Sequence, residues 1–203
     1  MTFGEIVDHA QKRGCSLLKE RLDKRKTEGF KVYAEPALRN AAGDIVSAPD
    51  GLMLPLRYDL AIQGSTGDVK TENADSAALN FREPVFANWE NRLKIEINSI
   101  SWDNMLFQFK PTSPETDWEG LRRWFLRWFD TDDEKVPDDS GLCGIVHFIS
   151  DPEITPEGAN IRVDFGSAAS LALAEFFDEL IKLGARNCTI GRPCEQSQFL
   201  VKD

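Results

Sequence analysis

The side chains able to act as nucleophiles, bases or soft metal ligands are few. Histidine occurs only at His9 and His147, and cysteine only at Cys15, Cys143, Cys188 and Cys194. A Ser-His-Asp or Cys-His nucleophile has to use one of the two imidazoles as its base. His9 stands next to Asp8, on the polar side of a predicted helix. His147 alternates with apolar neighbours, the pattern of a core histidine satisfied by a hydrogen-bond partner. Cys143 and His147 are separated by an even number, which puts both on one face of a strand. With Cys188 and Cys194 they would number enough for tetrahedral zinc, but the paired CxxC spacing of such sites is missing. Gly64-Ser-Thr-Gly-Asp-Val-Lys-Thr71 contains the residue types of a phosphate-binding loop at the wrong spacing. The expectation is therefore no catalytic site, no metal and no cofactor.

Carboxylates are the abundant chemistry. Residues 130–157 hold Asp130, Asp132, Asp133, Glu134, Asp138, Asp139, Asp151, Glu153 and Glu157 against Lys135 alone, a local charge of -8 out of -10 for the chain. The first six follow a predicted helix C-terminus, where the helix dipole disfavours anions, so a docking surface is weighed beside a plain solvated loop. The run beginning at Asp130 superficially suggests a calcium loop. An EF-hand needs Gly at its sixth position and Glu at its twelfth, and those positions hold Lys135 and Gly141.

Clustered negative charge accelerates encounter with a cationic protein. The expected partner is thus a basic protein rather than nucleic acid or a membrane surface, both of which call for basic residues. The expected contact set is Asp130, Asp132, Asp133, Glu134, Asp138, Asp139, Asp151 and Glu153. Trp124, at the edge of an aromatic helix face, is added as an exposed anchor. The most concrete version is a bacterial immunity protein or inhibitor that neutralises a basic toxin or nuclease. One alternative is a carboxylate- or metal-dependent hydrolase using Asp130, Asp132, Asp133 and Asp139. Another is a small-molecule sensor or a subunit of a larger assembly.

These residues must be held by a mixed α and β framework. Thr2 and Glu5 have capping-box spacing, and Phe3, Ile6, Val7, Ala10, Leu17, Leu18 and Leu22 make one apolar stripe, predicting a helix from Phe3 to Glu28 that stops at Gly29. Strands are predicted at Phe30–Ala34, Ile45–Ala48, Leu54–Gln63 and Phe81–Trp89, followed by a hairpin from Leu93 to Phe109. The remainder reads as strand 105–110, helix 115–130, strands 142–149 and 160–165, helix 168–183 with Ser167 as its N-cap, and strand 187–190. That order is β-α-β-β-α-β, a ferredoxin-like unit. The expected fold class is α+β, with an N-terminal helix and β-rich region (1–104) packed on this unit (105–203) in a single domain. An eight-residue strand at Leu142–Ile149 would hold the two acidic loops roughly 25 Å apart.

With 203 residues, 41% of them hydrophobic, the chain can bury a core without disulfides. No apolar run reaches the ~18 residues of a membrane span. The first residues lack the basic and apolar segments of a signal peptide. A cytoplasmic location with reduced thiols is expected.

Overall fold

A computed structural model describes residues 1–46, 54–74, 77–113 and 116–192. Ala48, Glu115 and Cys194, which figure in the sequence expectations, lie outside these. The fold is α+β, with three helices and two sheets among the described residues. No helix there is long and apolar enough to cross a membrane.

Helix α1 (Phe3–Thr27) begins at the expected capping box. Thr2 Oγ1 accepts from Glu5 N, and Glu5 Oε2 accepts from Thr2 N at 2.7 Å. Ile6, Val7, Ala10, Leu18 and Leu22 are its buried stripe. A small antiparallel sheet follows, in the order β1 (Lys31–Ala34), β2 (Leu60–Gln63), β3 (Val69–Glu72). With α1 it encloses a minor core of Leu18, Leu22, Leu60, Ala74 and Leu142.

The large sheet has the order β4 (Leu79–Trp89), β5 (Leu93–Ile100), β10 (Asn187–Ile190), β6 (Met105–Phe109), β9 (Gly158–Asp164), β7 (Phe148–Ile149), with β8 (Glu153–Thr155) paired to β9. Helices α2 (Glu119–Phe129) and α3 (Ser170–Lys182) pack on it and on each other. Trp124, Phe107, Phe165 and Phe176 interlock at ring separations of 4.5–6.4 Å. Phe3 of α1 joins Trp89 and Phe177, closing one end.

Several expected elements differ. The predicted hairpin of β5 with β6 does not form: β10 lies between them, parallel to β5 and antiparallel to β6. The other edge of β5 is taken by β4 through a turn in which Glu90 and Asn91 adopt positive φ. Gly191 lets β10 leave this slot, because at φ +76° a Cβ would collide with the backbone of Ser99. The predicted strand at 142–149 is reduced to its last two residues. Upstream, Gly144 turns through φ +69°, and the N–H groups of Cys143, Gly144 and Ile145 donate to the side chains of Glu35 and Ser167 instead of a strand. The roughly 25 Å spacing of the acidic loops rested on that strand and falls with it. Ser167 is thereby not the cap of α3, which starts after Ala169 without a side-chain cap. Residues 54–59 are likewise irregular, because Arg57 and Asp59 turn into a polar node.

Candidate functional site

Two neighbouring features organise the polar groups. The first centres on His147, which is 0% exposed just before β7. Its Nε2 lies 2.8 Å from Glu35 Oε1. Its Nδ1 lies 2.9 Å from Asp59 Oδ1 and 3.8 Å from Asp164 Oδ2. Each carboxylate is fixed from behind. Glu35, in left-handed backbone at φ 52°, accepts from Cys143 N at 2.6 Å and Ser167 N at 3.2 Å. Asp59 accepts from Ala74 N, and Asp164 accepts from Gly166 N at 2.8 Å. Gly166 itself sits at φ +49° against the imidazole, where a Cβ would overlap the ring. The node therefore joins the end of β1, the approach to β2, the turn before β7 and the end of β9.

The electrostatics follow from burial opposed by charge. Burial disfavours the imidazolium, but the carboxylates of Asp164, Asp59 and Glu35 overcome it and push His147 up to about 10. Burial also raises Glu35 and Asp59, yet His147 outweighs it and holds both below the usual carboxylate range. Asp164 gains less from His147 than burial and the charge of Asp59 cost it, and rises to about 7. One imidazole is shared among three carboxylates.

The second feature is the loop that follows α2. Asp130 ends the helix in a left-handed conformation at φ 61°. Its carboxylate accepts from Glu134 N at 3.2 Å and Lys135 N at 3.0 Å. Arg57, 5% exposed, donates to the carbonyls of Phe129 (2.8 Å), Glu35 (2.7 Å) and Asp130 (2.7 Å) and to the Asp133 carboxylate. Its guanidinium also lies over the Phe129 ring at 4.6 Å. Arg39 reaches the other oxygen of Asp133. Lys135 Nζ donates to Gly144 O at 3.0 Å and stands 5.2 Å from the Trp128 ring centre. Asp138 accepts from Ser140 N at 2.7 Å and Leu142 N at 3.4 Å.

The expected contact residues thus divide. Asp130, Asp133 and Asp138 hold the loop. Asp132, Glu134 and Asp139 are exposed and enter no ion pair among the described residues. Asp151 is half-buried, and Glu153 is exposed on β8, where it accepts from Asn160. Trp124 is not an exposed anchor. It is 2% exposed, its indole N–H donates to Ala172 O at 3.1 Å, and it belongs to the core because α3 covers that edge of α2. The exposed apolar residue of this region is Val136, 84% exposed within the acidic loop.

The charge around the described cysteines argues against the thiol–imidazole reading. Burial and the nearby Glu35 carboxylate push Cys143 and Cys15 up to about 11, the opposite of an activated nucleophile. Cys188 is buried in β10, and burial raises it further. Among the described residues, the group whose ligand atoms converge as a metal site requires is Asp59, His147 and Asp164, within 4.8 Å of one another. Sequence reasoning identified His147 as a bonded core histidine but missed Glu35, Arg57, Asp59 and Asp164. The available signal was charge inside apolar runs: Arg57 and Asp59 interrupt Leu54–Ile62, and Asp164 follows Ile161 and Val163.

No protein-family model matches this chain, and neither a curated protein nor a solved structure matches it.

Proposed function

We propose that this is a non-enzymatic interaction protein that docks a basic protein partner on the loop 130–141, most concretely an immunity protein or inhibitor of a cationic toxin or nuclease. The observation that carries this reading is the pinning of the loop. Arg57, Arg39 and Lys135 hold it from inside, so that Val136 stands out among Asp132, Glu134 and Asp139. A pre-ordered loop loses little conformational entropy on binding. An apolar centre ringed by charge combines a desolvated anchor with electrostatic steering. Val136 takes the anchoring role first assigned to Trp124.

The hydrolase alternative draws less support, because Asp130 and Asp133 already serve the loop's own backbone and Arg57. The sensor or subunit alternative has no specific observation behind it. We further infer one domain built on a ferredoxin-like unit. The path β10-β6-β9-β7, antiparallel at each step, supports that topology, and the His147 node supports the single domain by tying the small sheet to the large one.

The test compares wild type with the triple variant Asp132→Asn, Glu134→Gln, Asp139→Asn in a low-salt capture from the native cell extract. The expected result is a basic protein retained by wild type and lost by the triple variant. Its association rate should fall about tenfold or more as the Debye length shrinks from about 30 to about 8 Å. Equal capture by both proteins, or a rate indifferent to salt, overturns the proposal.

A further inference from the structure

We propose that Asp59, His147 and Asp164 form a binding site for one divalent first-row transition-metal ion, with His147 Nδ1 and one oxygen of each carboxylate as ligands and Glu35 as the carboxylate behind the imidazole. The site lies outside the acidic loop and does not depend on the docking reading.

The geometry carries this. Nδ1 is fully buried, with Asp59 Oδ1 2.9 Å and Asp164 Oδ2 3.8 Å away, and no well-directed hydrogen bond to it forms among the described residues. The 2.9 Å between Nδ1 and Asp59 Oδ1 is also the separation of two ligands held at about 90° on one ion at about 2.0–2.2 Å. Three atoms within 4.8 Å of one another share a point within about 2.8 Å of each, and small carboxylate rotations close this to the 2.0–2.2 Å of metal–ligand bonds. The other ring nitrogen faces Glu35 Oε1 at 2.8 Å, the arrangement in which a ligating histidine donates its second N–H to a carboxylate and so fixes its tautomer.

Charge points the same way. Three carboxylates surround a single imidazole, and no Lys or Arg side chain pairs with Asp59 or Asp164 among the described residues. Access is open on one side. The Asp164 side chain is 24% and the Asp59 side chain 9% exposed, while Glu35 and His147 are sealed at 0%. Water can therefore complete the coordination. One nitrogen with two carboxylates suits manganese, iron, cobalt, nickel or zinc better than calcium or magnesium, which prefer all-oxygen sites.

Chelator-stripped protein is titrated with cobalt(II), followed by its d–d absorption, and with manganese(II), followed by electron paramagnetic resonance; magnesium is the control. The expected result is one equivalent of cobalt bound with a Kd of about 10 µM or tighter, and manganese displaced by it. Asp164→Asn should weaken binding by about tenfold or more, while the triple loop variant binds as wild type does. Asp164 serves as the main variant because its side chain reaches solvent, so the substitution leaves the buried Glu35–His147 pair in place. Asp59→Asn, if it folds, should weaken binding similarly. The proposal is overturned by absence of saturable cobalt or manganese binding, by unchanged affinity in Asp164→Asn, or by a thiolate-to-cobalt charge-transfer band, which would place the ion on cysteine.

Discussion

Arg57 is where the fold and the acidic loop meet, and its removal gives the sharpest energetic prediction. Its side chain is 4% exposed and donates to the carbonyls of Glu35, Phe129 and Asp130 and to Asp133. Arg57→Met keeps an apolar chain of similar reach while removing the donors and the guanidinium that lies over the Phe129 ring, so little of the effect comes from a cavity. Hydrogen bonds to a charged group are worth about 1.5–3 kcal/mol each, and a carbonyl left unpaired in the interior costs about 1–3 kcal/mol. Asp130 is only half-buried and Asp133 is partly exposed, so water replaces Arg57 there; the carbonyls of Glu35 and Phe129 stay dry. Two lost bonds of this kind put the destabilisation at about 3–5 kcal/mol, the range for breaking a buried charged contact. Arg57→Lys should lose nearly as much, because an ammonium is a point donor and cannot replace a planar fork.

The assay is urea unfolding followed by tryptophan fluorescence, with hydrogen exchange as a local readout. Amides of 130–141 should lose protection in Arg57→Met by a larger factor than amides of β5 and β6. The same loop should open in acid. Arg57 and Arg39 outweigh burial and hold Asp133 below its ordinary value. A depressed carboxyl contributes stability above its unfolded pKa of about 3.9 and loses it as pH falls through the lower folded value. Loop protection should therefore persist down to about pH 4 and be lost progressively as pH falls further, through the depressed folded value. A loss under about 1 kcal/mol in Arg57→Met, with loop exchange unchanged, would refute the view that this side chain organises the loop.

Three further outcomes follow from single contacts. Trp124→Phe should destabilise by about 1–2 kcal/mol more than Trp102→Phe, measured by the same urea unfolding. Both indoles are buried, but Trp124 donates to Ala172 O, whereas Trp102 Nε1 finds no acceptor among the described residues. Gly166→Ala should cost about 2–4 kcal/mol in thermal unfolding, since its φ of +49° strains any side chain and the new Cβ would meet Ile145 O at 2.7 Å and overlap the His147 ring. In a Cys194→Ser background, Cys15 and Cys143, both raised to about 11, should react with a disulfide reagent at about pH 8 roughly a hundredfold more slowly than an ordinary thiol of pKa about 8.5. Rapid labelling of Cys143 would reopen the thiol–imidazole reading.

What was legible in the sequence was whatever local periodicity and capping determine. The capping box at Thr2 and Glu5, the stripe of α1 and the aromatic face of α2 were readable because helix contacts recur within a turn or two. Around α2 and α3, strands β6, β9 and β10 were readable from local alternation, whereas β8 was not foreseen and 142–149 kept only its last two residues as strand. The insertion of β10 between β5 and β6 was not, because the segments are about ninety residues apart and nothing in the alternation of β5 names its neighbour. The segment 142–149 misled because an apolar run reads as a strand whether its N–H groups meet another strand or the carboxylate of Glu35.

The site divides along the same line. The acidic loop was visible because its carboxylates are contiguous in sequence, yet which of them face solvent depended on Arg57 and Arg39, which come from far upstream. The His147 node was nearly invisible because its members, Glu35, Asp59, His147 and Asp164, are spread over 130 positions, each alone in its stretch. Their isolation is itself informative. A lone charge in an apolar run has to be answered by a distant partner or by an ion, since burying it unanswered costs several kcal/mol. Here Glu35, Asp59 and Asp164 converge on an imidazole whose two nitrogens stand 2.8 and 2.9 Å from the first two and leave Asp164 at 3.8 Å from Nδ1. A divalent cation between Asp59, Asp164 and Nδ1 would answer the third, and so the metal titration also tests why three carboxylates were brought to one ring.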